Sequence, residues 1–218
     1  RLLAPITMPS KEPVANWSAK AAGELNVSKG KVGFLVSPFL TYEEALVTAA
    51  FIKKVNASET VANFVGIPAY SRELTSVEKI VVSPDYAPNA VGVMRAMGME
   101  VGEAFRKDLD KSVESLLKKV QSGELTSLVL VGDFSLGNIH LSDALKNALS
   151  SIFVLGICSD SGNAPLALNA SISSAVSVVA SLVVPDRGIL ERSGTYISSK
   201  LRAQKLVAQF NAPRSALP

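Results

Sequence analysis

The feature that most constrains this chain is an alternation. Short apolar runs, each stopped by a turn, are followed by longer runs with helical spacing. "KVGFLVSP" at 31–38 is a strand-length apolar run closed by Ser-Pro, and "TYEEALVTAAFIKKV" follows it. Thr41 with Glu44 three residues on forms a capping box, in which each side chain takes the other's free backbone N–H at a helix start. This helix carries apolar residues on most faces, which places it between layers. "VEKIVVSPDY" (77–86) is a second strand closed by Ser-Pro, and "APNAVGVMRAMG" a short helix with Gly98 as its C-cap. In "DLDKSVESLLKKVQSG" (108–123), Leu109, Val113, Leu116, Leu117 and Val120 share one helical face. "LTSLVLVGD", "SIFVLGICSD" and "VVASLVVP" read as strands, and "LSDALKNAL" as the helix between the first two. Residues 159–177 are rich in Ser and Ala and read as a long loop with a short helix.

Strands alternating with helices imply βαβ units and an α/β fold with a parallel sheet, in Rossmann-like layers with helices on both faces. Three regions follow. Residues 1–30, with three prolines, read as an N-terminal extended segment; 31–186 are the α/β domain; 187–218 form a C-terminal segment and basic tail packing on it.

Composition narrows the function classes. Of 218 residues, 48% are apolar and 19% charged, below the usual quarter. Two compatible readings remain, burial against partners and a parallel sheet covered on both faces. A net charge of +3 gives no argument for nucleic acid. The cations do gather late: Arg187, Arg192, Lys200, Arg202, Lys205 and Arg214 face a single acid, Glu191, from residue 187 onward. Such a tail meets anionic cofactors, acidic partners or only solvent. The single cysteine, Cys158, sits in "IFVLGIC" and reads as an inert buried thiol, unable alone to build a metal or iron–sulfur site. No apolar stretch is long enough for a transmembrane helix. The chain begins at Arg1, which reads as a piece of a longer polypeptide or a processed chain.

In open parallel sheets the ligand crevice lies beyond the carboxyl ends of the strands. Those ends here are Ser37-Pro38-Phe39, Ser83-Pro84-Asp85, Gly132-Asp133-Phe134 and Ser159-Asp160-Ser161-Gly162-Asn163. Small polar residues suit the close approach of a phosphate, and they equally suit ordinary helix caps. Neither a dinucleotide-binding glycine fingerprint nor a phosphate-binding P-loop is present. The lone histidine, His140, reads as a cap or surface residue, and Glu43 and Glu44 point about 100° apart on a helix. No catalytic residue and no metal ligand is assigned.

The late segment "ASLVVPDRGILERSGTYISSKLRAQ" (180–204) is similar to a signature of the molybdopterin oxidoreductase superfamily. Ala180, Leu182-Val183-Val184, Pro185, Glu191, Gly194, Thr195, Arg202 and Gln204 fall at that family's spacing. "VSPFLTYEEALVTAAFIKK" resembles its strand followed by T-x-E-E and a helix, and Asn89-x-x-Gly92 its N-x-x-G segment. "RLLAPI" resembles the start of its catalytic-type domains. The resemblance covers most of the chain as a condensed molybdopterin-oxidoreductase-type domain. Three departures matter: the family Asn is Ser198, its Glu-Gly is Lys200-Leu201, and its Asp after Ala is Ser181.

The resemblance implies a pterin pocket in vestigial form, built from Asp133, Ser159, Asp160, Gly194, Thr195, Arg202 and Gln204, with the molybdopterin itself lost. It is closest to the cofactor-free C-terminal domain of the G subunit of NADH-quinone oxidoreductase (respiratory complex I). That implies a structural domain without cofactors of its own, beside iron–sulfur clusters held by neighbouring domains or subunits. The partners would be other parts of an NADH dehydrogenase complex. The location would be the cytoplasmic side of a bacterial inner membrane or the matrix side of the mitochondrial one, reached through partners. Two alternatives stand: a molybdopterin-binding piece of a formate or formylmethanofuran dehydrogenase-like enzyme, in which Arg202 and Gln204 grip pterin phosphates, and a stand-alone small-ligand domain.

Overall fold

Continuous apolar strands need cover on both faces, and the chain provides it. The computed structural model describes residues 4–8, 10–27, 31–56, 62–67, 89–101, 114–132, 147–158, 180–188, 191–198 and 200–211. In chain order these form β1 (Ile6–Thr7), α1 (Trp17–Val27), β2 (Val32–Val36), α2 (Tyr42–Asn56), β3 (Ala62–Gly66), α3 (Ala90–Ala96), β4 (Ser127–Val131), β5 (Phe153–Cys158), β6 (Leu182–Pro185), β7 (Gly194–Ile197) and β8 (Ala203–Leu206). Residues 114–121 and 147–149 are also helical.

One sheet runs β1-β6-β5-β4-β2-β3. Its last five strands are mutually parallel, and the two-residue β1 pairs antiparallel with β6 at the edge. The pleat sends alternate residues to opposite faces. Phe34, Val36, Val129, Leu155, Leu182 and Val184 meet Ala21 of α1, Ala45 and Ile52 of α2, and Ala90, Val93 and Met94 of α3. Leu35, Leu128, Leu130, Val154, Cys158 and Val183 meet Leu116, Val120 and Leu149 on the other side. The result is three layers with helices on both faces, which explains why all five residues of β2 are buried.

Several local signals act as read. The capping box closes at α2: Thr41 N–H donates to Glu44 Oε2 at 2.8 Å, and Glu44 N–H to Thr41 Oγ1 at 3.2 Å. At the end of α3, Gly98 takes φ +72°, while Gly98 N–H bonds Arg95 O and Met99 N–H bonds Met94 O. That paired pattern satisfies the last free carbonyls of the helix.

Other expectations need correction. Residues 1–30 are not extended throughout, since α1 occupies Trp17–Val27 and docks Ala21 into the core. The helix α2 is not enclosed between layers. Ala45, Ala49 and Ile52 face the sheet, whereas Leu46 and Val47 lie exposed, and Phe51, itself partly exposed, sets its ring edge-on to Phe34 of β2 with centroids 6.0 Å apart. An apolar helix face is not by itself a buried one. The short strand β3 follows a segment with no clear period-two pattern, and within the C-terminal segment residues 194–206 form a hairpin. The strand expected at 77–86, the first part of the helix expected at 108–123, most of that at 141–149, and the loop at 159–177 lie outside the described residues.

Candidate functional site: a polar seam at the strand ends

Counted over the described residues, the five parallel strands take the order 2-1-3-4-5, with the switch of direction between β2 and β4. A ligand crevice belongs there, at the carboxyl ends. Among the described residues, that place holds the chain's own groups. Ser37 N–H extends the pairing to Val131 O at 2.8 Å, and Ser37 Oγ accepts the Phe39 N–H at 3.2 Å, turning the chain toward α2. Gly132, at φ +90°, lies so close that a Cβ there would stand 2.7 Å from Leu40 Cδ2 and 2.9 Å from Ser37 Cβ. Ser37, Thr41 and Asn89 have no exposed surface.

The hairpin β7–β8 closes over this turn. Tyr196 donates its hydroxyl to Phe39 O at 3.0 Å. Thr195 donates its N–H to Glu43 Oε2 and its hydroxyl to Glu43 Oε1, both at 2.8 Å. Asn89, just before α3, spans the seam: its Nδ2 donates to Leu40 O at 2.7 Å and its Oδ1 accepts the Ile197 N–H at 2.6 Å. Gly92 makes room for that amide, since a Cβ at 92 would fall 2.0 Å from Asn89 Oδ1. The Asn-x-x-Gly spacing therefore has a mechanical cause here.

A buried cation anchors the base of the hairpin. Arg192 is 1% exposed. Its Nη2 meets Asp186 Oδ2 at 2.8 Å, its Nε donates to Arg187 O at 2.7 Å, and its Nη1 lies 3.6 Å from Glu44 Oε2. A guanidinium withdrawn from water needs this charge and hydrogen-bond cover. Asp186 Oδ1 in turn accepts the Arg187 N–H, and Asp186 N–H bonds Cys158 O at the end of β5. Cys158 itself is buried.

Partial burial pushes the Glu43 carboxyl up, but the Thr195 N–H and hydroxyl bonds and one from its own backbone outweigh it. The carboxyl is held below its ordinary value.

Gly194 and Thr195 thus lie against the start of α2, while Arg202 and Gln204 are exposed on the hairpin, Gln204 opposite Tyr196. Asp133, Ser159 and Asp160 lie outside the described residues. A pterin phosphate does not fit at Gly194-Thr195. A Cβ on Gly194 would already stand 2.6 Å from Thr41 Cβ and 2.7 Å from Glu43 Oε2, and both Thr195 donors face a carboxylate. Among the described residues no group of three or more His, Cys, Asp or Glu side chains is placed to hold a metal ion. No described helix is long and apolar enough to cross a membrane.

The sequence reading missed Glu43 as a partner of Thr195, and Asn89, Asp186, Arg192 and Tyr196 as seam residues. The Asn89/Gly92 spacing and the Thr41/Glu44 box were visible signals. The pairing of Glu43 with a residue 152 positions away was not. No protein-family model matches the chain, and no curated protein matches it.

Proposed function

We propose that this chain is a cofactor-free structural domain of a larger oxidoreductase assembly, of the kind that forms the C-terminal part of the NADH-quinone oxidoreductase G subunit. Its role is to supply packing surface and rigidity beside the iron–sulfur domains that carry electrons. The observation behind this reading is the contact of Gly194 and Thr195 with Thr41 and Glu43. Two of the positions that resemble a cofactor signature, Gly194 and Thr195, are taken up by an internal seam.

Leu201 adds support. It takes φ +61° in the β7–β8 connection, at the position where the family pattern has glycine. A backbone that favours glycine is kept after the glycine has gone, as expected where shape is retained and close approach by a ligand is not needed.

The test is purification of the tagged full chain from its source cells, under conditions that keep membrane complexes whole. Stoichiometric iron–sulfur subunits and NADH–quinone activity in the same fraction support the reading. A chain that elutes alone with bound pterin contradicts it.

A further inference from the structure

The hairpin β7–β8 has one sealed edge and one edge left open by the described residues. The register pairs Gly194 with Leu206, Thr195 with Lys205, Tyr196 with Gln204 and Ile197 with Ala203. Ser198 N–H bonds Arg202 O at 3.0 Å, so 198/202 is a hydrogen-bonded pair. By the alternation of an antiparallel ladder, 196/204 and 194/206 are hydrogen-bonded pairs too, while 195/205 and 197/203 are not. The N–H groups of Thr195 and Ile197 therefore point out of the hairpin on the β7 side, and Glu43 and Asn89 take them. On the β8 side the N–H and C=O of Ala203 and Lys205 point outward, and they meet no partner among the described residues. Ala203, Gln204 and Lys205 are all exposed.

An open edge of this kind is a template for another strand. Its charge selects the occupant. Lys200, Arg202 and Lys205 surround it, and no acid occurs from Arg192 to Pro218. A second copy of β8 would set like charges opposite one another, which opposes pairing. We infer that β8 is a docking edge for an extended acidic segment of a partner chain, added as a third strand with Asp or Glu on both of its faces, since Arg202 and Lys205 stand three positions apart and so on opposite faces of the strand. The inference stands on edge geometry and charge, and does not depend on the family reading.

The probe is a Glu/Val peptide of about six residues, the usual strand length, with its two Glu three positions apart so that one falls on each face, added to the full chain while amide hydrogen exchange is followed by NMR. Slowed exchange at Ala203 and Lys205, with no such effect from the Lys/Val counterpart, is the expected result. Lys205→Pro removes one outward N–H at a position where an edge strand tolerates proline. It is expected to weaken peptide binding at least about tenfold while β2 and β4 amides stay protected. Lys205→Glu with Arg202→Glu keeps the backbone donors and is expected to reverse the preference toward the Lys/Val peptide. Four results would overturn the inference: no protection at Ala203 and Lys205, equal response to both peptides, protection that rises with protein concentration alone, or binding to anionic vesicles without protection at these two amides.

Discussion

Thr195 is held at its backbone N–H and at its hydroxyl by the two carboxylate oxygens of Glu43, each at 2.8 Å, across 152 positions of sequence. The contact joins the first turn of α2 to the hairpin that closes over the strand ends. Two donors on one carboxylate fix orientation as well as distance. Loss of the carboxylate in Glu43→Ala is expected to cost about 1 kcal/mol, the low end for charged hydrogen bonds because Glu43 is exposed. Chemical denaturation measures it, and the Thr195 amide should exchange faster than that of Tyr196.

The same contact sets a pH dependence. The Glu43 carboxyl lies lower in the folded chain than its ordinary value of 4.5. Its contribution to stability is therefore full above that value and is lost as pH falls through the lower folded value. Following the Thr195 amide resonance through an acid titration should give a midpoint below 4.5. Glu43→Gln should abolish that titration.

Gly92→Ala should disturb the seam from a distance. The new methyl would collide with Asn89 Oδ1, forcing the amide off Leu40 O and Ile197 N–H. The expected cost is about 2 kcal/mol, that of leaving buried polar groups without partners. In the Asn89→Ala background the same change should cost less, because the clash is gone, and a double-mutant cycle measures the difference.

Arg192→Met removes a buried cation from Asp186 and Arg187 O. It should destabilise the chain by about 3 kcal/mol, since Asp186 is then buried without its charge partner. Adding Asp186→Leu should recover part of the loss, read as a higher denaturation midpoint.

Leu201→Gly should stabilise the hairpin. Leu201 holds φ +61° and is 54% exposed, so glycine relieves left-handed strain and gives up little packing. About 1 kcal/mol is expected, the scale of the left-handed penalty for an ordinary residue.

Local chemistry was the legible part of this chain. The five-residue apolar run Val32–Val36, the Thr41/Glu44 box and the Gly98 stop each depend on residues within a few positions, and each forms as read. What sequence could not supply was direction. The spacing of apolar residues in α2 does not say which face the sheet takes, so it cannot tell Leu46 and Val47, which lie open, from Ala45 and Ile52, which the sheet covers. β3 and α1 are short and weakly patterned, and tertiary packing decides them. In the seam, Gly194 and Thr195 stood out by type and spacing, but their partners come from α2, brought close only by the fold. Arg192 lay within the same stretch, and nothing local marked it as buried.

The most direct measurement is the molybdenum, tungsten and pterin content of the purified full chain, made alongside the Glu43→Ala variant. If Gly194 and Thr195 serve the internal seam, the chain carries neither metal nor pterin in stoichiometric amount, and Glu43→Ala changes stability alone. Stoichiometric pterin that is lost from Glu43→Ala would contradict that claim.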